Sequence, residues 1–117
     1  MNTWGFTCWQ PILAYGKNPY LANRLGSRPD IIISNERSEK NIHSCPKPLN
    51  VWCDILKKGS INENDIVLDP FMGSGTTAVA CLKLKRNYIG FEISKEYCDL
   101  AEKRIKENKR IIRRQVL

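Results

Sequence analysis

Residues 66–84 read IVLDPFMGSGTTAVACLKL, and the order of residue types in this stretch decides the fold. Ile66–Asp69 is a short apolar run of the kind that forms a buried strand, and Pro70 stiffens its exit. Gly73 and Gly75 make a tight turn, and residues 76–84 are apolar and helix-length, with the small residues first, as close packing of a helix on a sheet requires. A strand that ends in a glycine turn and opens a helix brings backbone N–H groups and the positive helix end to the carboxyl edge of a sheet, where open α/β sheets bind ligands. A Cβ at Gly73 or Gly75 would obstruct either the turn or the ligand's approach. Asp69 at the strand tip can accept hydrogen bonds from a ligand's ammonium group or from water around it, and Phe71 offers an apolar wall. Read alone, GSGTTA at 73–78 also satisfies the dinucleotide pattern G-x-G-x-x-A. Nicotinamide or flavin binding therefore stays open at this point, as does a glycine turn with no ligand.

Outward from the turn, the alternation continues. NYIGFEI at 87–93 reads as a second strand, and Ser94 can cap a helix running through KEYCDLAEKRIKEN. On that helix Tyr97, Ala101 and Ile105 share a face, with Leu100 and Arg104 nearby. Glu92 stands 23 residues after Asp69, close to the roughly 20-residue spacing at which an acid reaches a ribose, and its carboxylate can accept from both ribose hydroxyls. The plainer alternative is an exposed strand-end acid next to Lys95. Upstream, Leu49, Trp52, Cys53 and Leu56 fall at helical spacing after Pro48, and Gly59 follows where a helix would stop, which predicts a helix over 48–58. Helix, strand, helix, strand, helix implies parallel strands joined by crossovers. Before residue 48 the pattern is weaker. TCWQPILAYGK at 7–17 reads as an edge strand, with Trp9 and Tyr15 packing in it; residues 22–30 read as loop, and IIIS at 31–34 as a short strand.

The totals narrow the class. A chain of 117 residues is one small domain, short for a complete doubly wound enzyme. It has no apolar run near the roughly 20 residues of a membrane helix, and MNTWGFTCWQ has none of the features of a signal peptide, so a cytoplasmic setting without a membrane partner is expected. Five cysteines (Cys8, Cys45, Cys53, Cys81, Cys98) lack C-x-x-C spacing and His43 stands alone, so buried thiols are expected and no metal site. The net charge of +7 is concentrated, because residues 103–117 carry +6 of it. Such a stretch is either the solvated face of a last helix or a track for phosphates.

DPFMGSGTTAVA (69–80) followed by YIGFEISKEYCDLAEKRI (88–105), with HSCPKPLNVWCDIL (43–56) upstream, resembles the S-adenosylmethionine-dependent DNA methyltransferases that modify adenine N6 or cytosine N4. The resemblance covers about residues 43–107, and WQPILAYGK (9–17) is similar to a strand segment that lies upstream in such enzymes. It implies a partial Rossmann-like methyltransferase fold with parallel strands and flanking helices, S-adenosylmethionine as cofactor, DNA as partner, and a setting such as restriction-modification. It further implies that Asp69, Pro70, Phe71, Gly73, Gly75 and Thr76 line the methionine side of the cofactor and Glu92 its ribose. Lys47 would stand near the site at the head of the upstream helix, and Thr77 would serve only helix and packing. The same family's D-P-P-Y motif orients the target amine and stacks the flipped base. It does not occur in these 117 residues, where the only D-P is Asp69-Pro70. Asn18-Pro19-Tyr20 echoes an N-P-P-Y variant but lacks the second proline. No catalytic residue is therefore assigned. Residues 1–42 are expected to be an edge-strand and loop segment from the end of a missing catalytic half, and 43–117 the cofactor-binding part with a basic C-terminal helix. The catalytic half would lie upstream, on a separate chain or a missing part; the alternatives are an inactive remnant or binding subunit and, against the Asp-Pro-Phe before the glycines, a nicotinamide-binding fragment. A sheet without that half is expected to expose strand edges and an apolar face.

Overall fold

The computed structural model describes residues 10–35 and 47–116. Its elements are α1 (Pro19–Ala22), α2 (Leu49–Gly59), β1 (Ile66–Asp69), α3 (Thr76–Lys83), β2 (Asn87–Gly90) and α4 (Lys95–Val116). The two strands are parallel, in register from Ile66 opposite Asn87 to Asp69 opposite Gly90. This is the predicted strand-helix-strand unit, and α3 forms its centre. Ala78, Val79, Ala80 and Cys81 are all but completely buried, because α3 packs against α2, β2 and α4. Small residues at these positions let three elements approach one short helix closely. Burial also pushes the Cys81 thiol up to about 11, against the opposing pull of Arg86, so this cysteine acts as a small apolar side chain.

α2 begins one residue later than its sequence pattern predicts. Pro48, with φ −59° and ψ 125°, is the residue before the helix, and Gly59 is the last residue within it. Cys53 is buried and Leu49, Trp52 and Leu56 are half-buried, which is the predicted apolar stripe. Lys57 and Lys58 sit in the last turn, where cations complement the helix dipole. The connection to β1 is pinned from both sides. Asp65 accepts the N–H groups of Ile61 and Asn62, and the Arg86 guanidinium donates to Ser60 Oγ at 3.1 Å and to Ile61 O at 3.2 Å.

β2 is shorter than the predicted 87–93. Beyond Gly90 no strand residue stands opposite, because β1 has ended at Asp69-Pro70. Phe91 donates its N–H to Asp69 O and accepts at its carbonyl from Met72 N–H of the glycine turn. Ser94 caps α4 as expected: its hydroxyl oxygen accepts from Tyr97 N–H and its carbonyl from Cys98 N–H. The helix then continues for 22 residues, past the expected end at Asn108 and through the basic tail.

Before residue 48 the structure departs from the sequence reading. Residues 10–18 and 31–34 are irregular, and the edge strand and short strand predicted there are not present among the described residues. A strand exists only by pairing, and the described sheet contains β1 and β2 alone. Tyr15 is exposed instead of packed, as are Ile12 and Leu13. Asn18-Pro19-Tyr20 has a local explanation. The Asn18 side chain accepts the N–H groups of Tyr20 at 2.9 Å and Leu21 at 3.3 Å, with Pro19 at the first helical position, so the tripeptide is the start of α1. The Tyr20 ring lies 4.5 Å below the Arg28 guanidinium. Trp9, Cys8, His43 and Cys45 fall outside the described residues.

One face of the sheet is covered and the other is not. Val67 and Tyr88 are half-buried, whereas Ile66, Leu68, Ile89 and, beyond the strand, Phe91 are exposed, Leu68 to 62%. Parallel sheets are ordinarily covered on both faces. Among the described residues no helix is long and apolar enough to cross a membrane.

Candidate functional site

The carboxyl ends of β1 and β2 lie side by side, and each delivers one carboxylate. Asp69 is held from two directions: Oδ1 accepts Phe71 N–H at 3.0 Å and Oδ2 accepts the Thr77 hydroxyl at 2.5 Å. Thr77 Oγ1 in turn accepts the Trp52 indole N–H at 2.9 Å. Thr77 thus does more than the helix and packing duty expected of it. It is a buried polar link that joins α2, α3 and the strand-tip acid. Replacing Thr77 by valine is expected to cost about 1–3 kcal/mol, because the indole N–H and the carboxylate oxygen lose a partner inside the fold while the shape is kept. Urea unfolding of T77V and T77S checks this, with the serine variant recovering most of the loss.

Glu92 closes the opposite side. Its Oε2 accepts Gly73 N–H at 2.8 Å, across the turn, and its Oε1 accepts Ser94 N–H at 2.9 Å. The Ser94, Gly73 and Ile93 N–H groups hold this carboxyl below the ordinary carboxylate range, against a smaller opposing effect of burial. The plainer reading of Glu92 as an acid beside Lys95 is not what the structure shows, since Lys95 pairs with Asp99 at 3.2 Å. Neither Asp69 nor Glu92 has a lysine or arginine ion-pair partner among the described residues.

Between the two acids the turn is built by its glycines. Gly73 has φ 53°, and a Cβ there would meet nothing closer than Phe71 O at 4.0 Å, so its front is open. Gly75 has φ 83° and faces the other way, with its Cα against Ala101 of α4. Gly75 N–H donates to Met72 O, and Val79 N–H donates to Gly75 O as α3 begins. Pro70 and Phe71 stand exposed at the mouth, Phe71 to 87%. Thr76 is buried and its hydroxyl accepts from Arg104, so what it presents toward a ligand is backbone at the helix start. Lys47 is exposed just before Pro48 and makes no hydrogen bond or ion pair with the described residues of the turn. The geometry therefore brings together Asp69, Pro70, Phe71, Gly73, Gly75, Thr76 and Glu92, but does not tie Lys47 to them.

Arg104 is the residue sequence reasoning passed over. It lies buried behind the turn, where Nη1 donates to Ser74 O at 2.7 Å, Ser74 Oγ at 3.0 Å and Thr76 Oγ1 at 3.3 Å. Its signal was an arginine on the apolar face of α4, beside Ala101 and Ile105, in a tail whose other bases are exposed.

Two carboxylates without cationic partners among the described residues, an open glycine and an apolar wall suit a ligand that carries positive charge, hydroxyls and apolar surface. They do not suit a phosphate-rich one, because carboxylates beside the turn repel it.

A family model described as DNA methylase matches residues 2–103. The type II methyltransferase M.HinfI of Haemophilus influenzae is 46% identical over 70 residues, which is 60% of this chain and 19% of that protein. The orphan methyltransferase M.BamHII of Bacillus amyloliquefaciens is 67% identical over 45 residues, 38% of this chain and 17% of its own length. The chain thus spans well under a third of these curated relatives. Among solved structures, the M1.HpyAVI–SAM complex superposes with a TM-score of 0.53 and 44% identity over 67% of this chain and 41% of that one. A putative DNA modification methylase from Thermus thermophilus, complexed with S-adenosyl-L-methionine, gives a TM-score of 0.50 and 34% identity over 52% of this chain and 25% of the other.

Proposed function

Because the chain belongs to the N6/N4 DNA methylase family, we propose that it is the S-adenosylmethionine-holding part of a DNA methyltransferase acting on the exocyclic amine of adenine or cytosine. The observation that carries this reading is the bond from Gly73 N–H to Glu92 Oε2, which sets the β2 acid across the glycine turn from Asp69. In this reading Asp69, Pro70, Phe71, Gly73, Gly75 and Thr76 line the methionine side, with Lys47 at the rim. Each Glu92 oxygen already accepts one N–H and keeps a lone pair for a ribose hydroxyl. When bound, S-adenosylmethionine supplies a methyl group on a positively charged sulfur. The residues of this chain hold that donor in place; orientation against the acceptor amine is their contribution to rate.

The acceptor side must come from elsewhere. No D-P-P-Y occurs in the sequence, and the uncovered face of Ile66, Leu68, Ile89 and Phe91 is the kind of surface a further α/β part would cover. We place residues 43–117 as the cofactor part and 1–42 as the tail of the catalytic half, which an upstream chain or segment would provide. DNA is the substrate of the assembled enzyme.

Calorimetric titration with S-adenosylhomocysteine and with NAD tests the cofactor reading. Saturable binding of the first alone is expected; saturable NAD binding without homocysteine-analogue binding would overturn it. Methyl transfer to unmethylated DNA is expected to be absent with this chain alone and to arise when a chain carrying D-P-P-Y is added.

A further inference from the structure

We infer that Arg104 is a positioning residue that holds the methionine-side half of the glycine turn in its binding geometry, a role that rests on the cofactor reading above. A buried guanidinium is costly unless its charge and donors are satisfied. Arg104 has no carboxylate partner among the described residues, and its Nη1 donates only to Ser74 O, Ser74 Oγ and Thr76 Oγ1. All three acceptors belong to the turn and the first residue of α3, 28 to 30 residues away in sequence. Among the described residues the cation is therefore directed at this one loop.

What it does there follows from the neighbouring contacts. Ser74 lies between the two glycines with positive φ, the most adaptable point of the backbone in this region. Its carbonyl could rotate toward the ligand side, where it would set an acceptor among the groups that must receive the cofactor. Arg104 pins that carbonyl toward α4. Ala101, one helical turn earlier on the same face, packs against Gly75 and fixes the depth at which the turn sits. The ribose-side acid is held independently, since Glu92 takes its bonds from Gly73 and Ser94. Arg104 thus governs Ser74 to Thr76, while Glu92 remains in place without it.

The test uses the full chain with two ligands, S-adenosylhomocysteine and 5′-methylthioadenosine, which keeps the nucleoside but lacks the amino-acid end. R104M is expected to weaken S-adenosylhomocysteine binding about ten-fold or more, the loss of charged hydrogen bonds to the turn, and to leave methylthioadenosine binding within about two-fold of the parent. R104K, which keeps the charge and one donor group, is expected to recover part of the difference. Amide hydrogen exchange supplies a second measurement: R104M should speed exchange at Gly73–Thr76 and leave the β1 ladder amides as they were. Unchanged S-adenosylhomocysteine binding, or an equal loss for both ligands with faster exchange throughout the fold, would overturn the assignment in favour of simple structural support. If the parent chain binds neither ligand, the cofactor reading itself fails and the inference falls with it.

Discussion

Replacing Glu92 by alanine is expected to abolish measurable S-adenosylhomocysteine binding at concentrations that saturate the parent, a loss of about a hundred-fold or more. Each hydrogen bond to a charged acceptor that is removed weakens binding by roughly ten- to a hundred-fold. Glu92 stands to lose its proposed ribose contacts and, at the same time, its bond to Gly73 N–H, which keeps the turn closed. Gln at this position restores one carbonyl acceptor but places an amide donor against either Gly73 N–H or Ser94 N–H, so E92Q should bind only slightly better than E92A. Isothermal titration of both variants checks the order.

The same carboxylate predicts a pH dependence. Its folded-state pKa lies below the ordinary value because the Ser94, Gly73 and Ile93 N–H groups stabilise the ionised form. The stabilisation is complete above the unfolded-state pKa and is lost as the pH falls through the lower folded-state one. Turn closure, and with it ligand affinity, should therefore be flat from neutrality down to the ordinary carboxylate value and then decline progressively as the pH falls from there through the lower folded-state value. In E92Q that decline should be missing from the carboxylate's own contribution, as followed by NMR shifts of the Gly73 amide.

Gly75→Ala is expected to be the most destabilising single substitution in the turn. At φ 83° a non-glycine residue costs about 1–2 kcal/mol, and the added Cβ would lie 2.9 Å from Ala101 Cβ and 3.2 Å from its Cα. The second contact is with backbone, so α4 must lift, and overpacking of this kind costs about 1–3 kcal/mol. A total of about 2–5 kcal/mol is a large share of the roughly 5–15 kcal/mol that holds a domain together. Gly73→Ala separates stability from binding. Its Cβ would enter open space, so a stability loss of about 1–2 kcal/mol from the left-handed conformation alone should accompany a greater loss of ligand binding. Paired denaturation and titration of the two variants distinguish the glycine that serves packing from the one that serves the ligand. Equal profiles for both would contradict the arrangement.

Much of this site was legible in the chain itself. Asp69 and Glu92 could be named as candidates because Asp69 ends one apolar run, Glu92 lies near the end of the next at a ribose-binding spacing, and strand ends in a parallel unit converge on one edge. The glycines could be named because two of them between a strand and a helix leave few other conformations. The N-terminal strands were not legible in the same way. Ile31–Ile33 have the composition of a strand, but composition cannot supply a neighbour to pair with, and among the described residues β1 and β2 take each other. The basic stretch read either as a helix face or as a track for phosphates is helical to Val116, and the dipole favours Arg113 and Arg114 at that terminus.

By itself, then, the sequence determined the strand-turn-helix, the two acids and their order, because backbone conformation and apolar periodicity are local properties of consecutive residues. Only the tertiary structure decided what stands behind them. Thr77 became a bridge between Trp52 and Asp69, Lys95 turned to Asp99 and left Glu92 to the turn, and Arg104 left the basic tail to hold Ser74. Each of these depends on which distant backbone or side chain lies within hydrogen-bond reach, and that distance is set by how α2, α3 and α4 pack, not by spacing along the chain.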